Sequence, residues 1–435
     1  MNQVSHDHER NGDQPTRDHR VLVAQIGARR HYAVPRIFYQ EGSLGALHTD
    51  ICAVKGWPRV LDLITPKMLR TVGMRRLFGR VPAGIPNHLI RTEDDIGWKY
   101  AMSRRHCRTN TEATNAHLWA THNFGNRIVK RGMEEFTLVY AFSTDAMEVL
   151  EEGKRIGIER VLDQTIPPRE SIVEMLETER SLFPKLVGDD LFDDKWQELA
   201  DREKREWDAA DIILCGSPFV RETMEQYGGH KHKIKVVPTG VSPFPELARS
   251  HPDRVNNGPI NVLFVGEVGV RKGAHYLIEA ARRLGEHYRF RLCGEIRLPV
   301  SFLQNAPSNV ELLGAIPRVE IMKQYHWAHL FCSPSLLEGS AAVTYEAMAA
   351  GIPIVATPNT GSLVRDGIDG YIVPTRDVDA LCEALEKVRD GALPSERSYT
   401  VDRPGGPLSF SLEAYRERLA AITLRRSDVP AAPIA

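Results

Sequence analysis

From Asn261 to Val388 one alternation repeats: a short apolar run, a loop, then a stretch whose apolar residues recur at helical spacing. Short uninterrupted apolar runs suit strands buried on both faces, and the amphipathic stretches between them suit helices covering those faces. This predicts βαβ units on a parallel sheet. The strands read as VLFVG (262–266), RFRLCG (289–294), VELLG (310–314), HLFCSP (329–334), IPIVAT (352–357) and YIVP (371–374). Between them, AHYLIEAARRL (274–284) sets Leu277, Ala281 and Leu284 on one face, and VDALCEALEKV (378–388) reads as a helix. AAVTYEAMAA (341–350) is a further helix, stopped by Gly351 with Pro353 just beyond.

The first half carries the same signal in VLVAQIG (21–27), FTLVYAF (136–142), RVLDQ (160–164), DIILCGS (211–217) and KIKVVPTG (233–240), which predicts a second α/β domain of the same kind. With 435 residues, two domains are the natural expectation. VSPFPELARSHPDRVNNGP (241–259) lacks periodicity and is rich in turn formers, so it reads as the connection. The expected organisation is a disordered leader (1–20), an N-terminal domain (21–240), a linker (241–259) and a C-terminal domain (260–405). A loop-like stretch (390–408) then precedes a last helix (410–425), with Ser411 as its cap and Tyr415, Leu419 and Ile422 on one face. No period of 20–50 residues is present, which excludes solenoids and propellers.

Charge and composition narrow the function classes. Lys+Arg number 56 against 57 Asp+Glu, a net charge of −1, so no global field favours nucleic acid. The six cysteines (Cys52, Cys107, Cys215, Cys293, Cys332, Cys382) show no CxxC or ligand spacing, which fits a reducing cytoplasm and neither a zinc site nor a disulfide framework. The leader has no apolar core, and no later window holds about 18 uncharged apolar residues, so secretion and membrane spanning are disfavoured. His6, His8 and His19 in the leader read as tail residues rather than metal ligands, and the acids of GDDLFDDK (188–195) as a solvated helix start rather than a metal site.

Two stretches carry the chemistry. VLFVGEVGVRKG (262–273) is a strand breaking at Gly266 into a glycine-punctuated loop that ends in Arg271 and Lys272 before a helix, a local anion site or a pair of exposed loop charges. LLEGSAAVTYEAMAAG (336–351) places Glu338 after a strand and Glu346 eight residues on, inside a helix. At the carboxyl end of a strand a carboxylate can accept hydrogen bonds from sugar hydroxyls, and one further into the helix can reach a ribose diol. The small residues Gly339, Ser340 and Ala341 let backbone N–H groups approach a diphosphate.

EGSAAVTYE, followed by AMAAGIPIVAT and TGSLVRDGIDGYIVP, resembles the C-terminal signature of the retaining glycosyltransferases of family 4 (glycosyl transferases group 1). GVRKG before AHYLIEA resembles that family's diphosphate loop, REWDAADIILCGSPFVRE (205–222) and KVVPTGVSP (235–243) resemble the end of its N-terminal domain, and FSLEAYRERLAAI (410–422) resembles its terminal helix, which packs back across the domains. The resemblance implies a GT-B fold, two facing Rossmann-like domains with a cleft between them, and a sugar transfer from a nucleotide diphosphate donor without metal or cofactor. It implies Arg271 and Lys272 at the diphosphate, Glu338 at the transferred sugar and Glu346 at the ribose. Gly266, Gly339, Ser340 and Ala341 would line the phosphates, with Thr360 and Gly361 nearby. The acceptor stays open among a saccharide, a lipid-linked sugar and a small molecule.

Three features depart from the family pattern, one of them the stretch 390–408, which does not show the usual helix before the last one. Glu267 stands where many members carry arginine, and Gln164 and Thr165 stand where an acceptor-side histidine is usual. They motivate a rival reading as a non-catalytic binding or scaffold protein; a nucleotide-sugar epimerase on the same fold is a second. In the N-terminal half, Arg29, Arg30 and His31 follow the first strand and read either as acceptor or phosphate contacts or as solvated loop charges. His117 and His122 read as satisfied helix histidines. KMLRTVGMRRLFGRV (67–81) is basic and amphipathic, consistent with peripheral contact at the inner face of a membrane or with a helix buried on one face.

Overall fold

In the computed structural model the described residues are 19–66, 70–188, 194–241, 258–393 and 410–424. Most of the leader, the interior of 188–195, nearly all of the 241–259 connection and most of 390–408 therefore lie outside them. Among the described residues thirteen strands form two sheets, and every strand pairing is parallel.

The first sheet is built from β1 (Val21–Gln25), β2 (Leu44–Thr49), β3 (Ile90–Thr92), β4 (Leu138–Phe142), β5 (Glu159–Gln164), β6 (Ile212–Cys215) and β7 (Ile234–Val236), in the order β3-β2-β1-β4-β5-β6-β7. The second is built from β8 (Ile260–Val265), β9 (Tyr288–Cys293), β10 (Val310–Gly314), β11 (Leu330–Ser333), β12 (Ile354–Ala356) and β13 (Gly370–Ile372), in the order β10-β9-β8-β11-β12-β13. In each sheet the chain winds outward from the first strand in one direction, then returns and winds outward in the other. The crevice at such a reversal, outside the carboxyl ends of the strands, is where an open α/β sheet holds its ligands. Here the reversals fall between β1 and β4 and between β8 and β11.

All five residues of β1 and all five of β4 are buried, which is why they read as apolar runs. The helix Leu412–Thr423, capped by the Ser411 hydroxyl accepting from the Ala414 N–H (3.0 Å), packs against the first sheet rather than the second. Its Tyr415 and Leu419 lie in one cluster with Val21, Val23, Phe38 and Tyr140. The six cysteines are unpaired. Among the described residues no helix is long and apolar enough to cross a membrane.

Candidate active site at the facing sheet edges

The second sheet's reversal gathers the sequence-predicted cations and the first carboxylate. After β8 the chain turns through Gly266 and returns at Gly273, whose φ of +67° and whose contact with Pro334 (a Cβ would stand 1.9 Å from its carbonyl oxygen) admit glycine alone. That close approach presses the β8 loop onto the loop after β11. The Arg271 guanidinium donates to the Leu337 carbonyl (3.1 Å) and to Glu338 Oε2 (3.1 Å), and Lys272 Nζ contacts the same carboxylate oxygen. Burial, with the adjacent Arg271 charge, pulls the Lys272 ammonium down to about 7, against a smaller opposing pull from Glu267. Contact with Glu338 works to keep that ammonium charged. Glu267 itself turns toward Arg297 (3.9 Å).

The helix Ala342–Ala349 follows, and its N-cap residue Ala341 supplies no side-chain cap to the orphan N–H groups of its first turn. Glu346 is only 6% exposed: Oε1 accepts from Arg318 (2.9 Å) and Oε2 from the Tyr325 hydroxyl (2.9 Å). A carboxylate has about four lone-pair sites, so acceptor capacity remains. Thr360 is fully buried and its hydroxyl donates to the Ser333 carbonyl (2.8 Å), so its side chain braces the β11 and β12 loops; its carbonyl accepts from the Ala341 N–H (3.3 Å). Gly361 (φ +61°) lies against Gly339.

Across the cleft the first domain meets this loop directly. A Cβ on Gly339 would stand 1.9 Å from the Thr165 carbonyl oxygen, so the domains approach here to backbone contact. The Ser217 hydroxyl donates to the Gly339 carbonyl (2.6 Å), and the hydroxyls of Thr239 and Ser340 are 3.3 Å apart. The carboxyl edges of the two sheets therefore face each other, with β5 and β6 opposite the loop after β11.

The first sheet's reversal is built differently. Arg29 pairs with the fully buried Asp145 (3.1 Å), and Arg30 pairs with Asp163 (2.7 Å) and donates to the Tyr415 hydroxyl (2.6 Å). Arg30, His31 and Tyr32 all have positive φ (48°, 50° and 60°), a strained run that these anchors hold in place. Neither arginine is a solvated loop charge; His31 is exposed. His117 bonds Thr144 (3.0 Å) and the Tyr100 hydroxyl (3.2 Å), and burial beside Arg169 and Arg29 pushes it down to about 3, leaving it neutral. His122 bonds Glu148 (3.0 Å). Asp145, Asp163, Arg169, Arg318 and Tyr325 were missed from sequence; the signal for the two aspartates was their place at the ends of β4 and β5.

A concavity of about 650 Å³ lies at the opposite edge of the second sheet, lined by Tyr288, Arg289, Val310 and Trp327. It is far from the strand ends that gather Arg271, Lys272 and Glu338.

Residues 259–390 match the family described as Glycosyl transferases group 1. In the curated relatives, the chain is 31% identical over 193 residues to the putative colanic acid biosynthesis glycosyltransferase WcaL of Escherichia coli, covering 40% of this chain and 47% of that one. It is 30% identical over 204 residues to the D-inositol 3-phosphate glycosyltransferase of Corynebacterium urealyticum, covering 41% and 48%. The chain thus spans about half the length of the curated relatives it matches. Among solved structures, Anabaena HepE in complex with UDP and glucose superposes with a TM-score of 0.57 at 14% identity, over 93% of this chain and 99% of that one. The fold is GT-B.

Proposed function

We propose that this chain is a glycosyltransferase that moves a sugar from a nucleotide diphosphate sugar to an acceptor held on the N-terminal side of the cleft, with retention at the anomeric carbon and without a metal. The observation that carries this reading is the convergence of Arg271, Lys272, Glu338 and an uncapped helix start at the β8/β11 reversal. Breaking a glycosyl–phosphate bond leaves negative charge on the diphosphate. Two cations and a helix N-terminus already in place stabilise that charge as it develops, which is the work a metal would otherwise do. In this reading Lys272 exchanges Glu338 for the diphosphate, which frees the Glu338 carboxylate for the sugar hydroxyls. Glu346, held by Arg318 and Tyr325, accepts from the ribose diol with its remaining lone pairs. The departing phosphate oxygen takes the acceptor proton as the acceptor enters from the same face.

The group 1 match over the C-terminal domain and the glycosyltransferase names of the relatives support transfer over a non-catalytic role or epimerisation. Glu267, the departure that motivated the non-catalytic rival, faces Arg297 at the rim and leaves Arg271 and Lys272 in place. The test is a thermal-shift series with UDP, GDP, ADP and their sugar conjugates, since a ligand selective for the native state raises the melting temperature. One nucleotide should stabilise the protein by about 2–3 kcal/mol at a hundredfold excess over its Kd, and Glu346→Ala should abolish most of that gain. No shift with any nucleotide would overturn the donor site, and an unchanged shift in Glu346→Ala would remove the ribose assignment.

A further inference from the structure

The helix Gly56–Ile64 turns its apolar residues outward. Of its nine residues only Pro58 is buried, while Val60, Leu63 and Ile64 are 58%, 77% and 70% exposed. Trp57 stands half out of the surface and packs edge-on against Trp98 (5.2 Å between ring centroids), itself 50% exposed on the helix Asp94–His106. Trp57, Val60 and Ile64 fall at i, i+3 and i+7, so they form one stripe with Leu63 beside it. A contiguous exposed apolar face of this kind marks an interaction surface, because a monomer in water gains nothing from it.

The charge around the stripe says what covers it. The sequence from 55 to 81 holds Lys55, Arg59, Lys67, Arg70, Arg75, Arg76 and Arg80 against the single acid Asp62, an excess of six positive charges in a chain whose net charge is −1. Asp62 is taken by Arg70 (2.9 Å) and Arg80 is taken by Asp50 (3.0 Å), whereas Arg59, Arg75 and Arg76 are exposed. Arg75 and Arg76 lie on the helix Val72–Phe78, which packs on the helix Gly56–Ile64. Outward tryptophan, leucine and isoleucine flanked by exposed arginines match an interface that is apolar inside and anionic at its rim.

We propose that this face docks onto an anionic lipid bilayer, with the helix Gly56–Ile64 and Trp98 entering the headgroup region and Arg59, Arg75 and Arg76 meeting lipid phosphates. The docking face is tied to the acceptor side of the cleft. Asp50, at the end of β2, accepts from the Gly27 N–H of the loop after β1 (2.8 Å) as well as from Arg80. Trp98 is two residues from Tyr100, which bonds His117 at the β1/β4 reversal. Docked in this way, the rim of the N-terminal domain lies against the lipid, while the donor site on the other domain faces water.

The experiment is co-sedimentation of the full chain with vesicles of phosphatidylcholine alone and of phosphatidylcholine with a third phosphatidylglycerol, alongside light scattering of the free protein. The wild type should sediment with the anionic vesicles and not the neutral ones, and raised salt should weaken the binding. Leu63→Ser with Ile64→Ser, and separately Arg75→Gln with Arg76→Gln, should each lower the bound fraction at least tenfold. Both pairs should leave the nucleotide-induced thermal shift intact, which shows that the variants are folded and separates this proposal from the donor-site reading. Equal partition to neutral and anionic vesicles, or none to either, would overturn it. So would a wild-type dimer that Leu63→Ser with Ile64→Ser dissolves, since the face would then belong to a second copy of the chain.

Discussion

Lys272 is where burial and the proposed diphosphate contact make opposite demands on one ammonium. Largely withdrawn from water and beside Arg271, it is pulled down to about 7; a diphosphate seated on it would pull it back up. Donor binding above pH 7 therefore takes up a proton, and affinity falls as pH rises, by up to about tenfold per unit. Titrating the preferred nucleotide diphosphate between pH 6.5 and 8.5 should show that slope in the wild type and a flat profile in Lys272→Arg, whose guanidinium stays charged. A flat wild-type profile would mean that Glu338 alone keeps the lysine protonated.

At this scale the C-terminal site was legible because Arg271, Lys272, Glu338 and Gly339 sit within a few residues of a strand end, and strand ends are readable. The N-terminal side was not. Arg29 and Arg30 find Asp145, Asp163 and Tyr415 at separations of 116, 133 and 385 residues, and no local pattern announces partners that far away. For Thr360 the motif gave the place, yet only the packing shows that its hydroxyl is spent on Ser333.

Among the elements, the helix Arg169–Leu182 joins the two domains. Its Glu179 is fully buried and accepts from His275 Nε2 (2.9 Å), the Tyr276 hydroxyl (3.1 Å) and Arg376 Nε (2.6 Å), all three from the C-terminal domain. Burial pushes the Glu179 carboxyl up, but the hydrogen bonds from His275 and Arg376 outweigh it and hold the group below its ordinary value. The folded form is therefore favoured by this group above the usual carboxylate range, and that contribution is lost as pH falls through its lowered value. Since His275 and Tyr276 lie in the first turn of the helix after Lys272, the contact also sets the loop that carries Arg271 and Lys272 against the other domain.

Glu179→Ala should cost about 3 kcal/mol, because it strands buried partners; Glu179→Gln should cost less, because an amide oxygen still accepts. Urea unfolding measures both, and a loss under about 0.5 kcal/mol in the alanine variant would mean that the apolar contacts among Ile172, Met175, Tyr276, Leu336 and Leu337 hold the domains by themselves. β2 and β3 show why elements escape a sequence reading. LGALHT carries a glycine and a buried histidine inside the strand, and IRT is a three-residue edge strand, too short for any period to show.

For the whole molecule, the two parallel sheets were legible because strands buried on both faces cannot avoid apolar runs. What no periodicity shows is that the last helix completes the first domain. Val241, just after β7, forms a parallel bridge with Ser411, and the helix Leu412–Thr423 then buries Tyr415 and Leu419 against β1 and β4. Arg416 pairs with Glu41 (2.7 Å), Arg418 donates to the Pro238 carbonyl (3.0 Å), and Arg30 reaches Tyr415 from the cleft side. The N-terminal domain is therefore made from both ends of this chain, and residues 19–241 alone leave an apolar face open. Because 241 and 411 are already neighbours, a flexible linker of about six residues can join them without the C-terminal domain. A fragment of 19–241 linked to 410–424 should unfold cooperatively in urea, and the fragment ending at 241 should show a shallower transition or aggregate. Burying two large side chains contributes about 1.5–3 kcal/mol each, a large share of the marginal stability of one domain. Equal midpoints for the two fragments would show that the helix only covers the sheet and does not hold it.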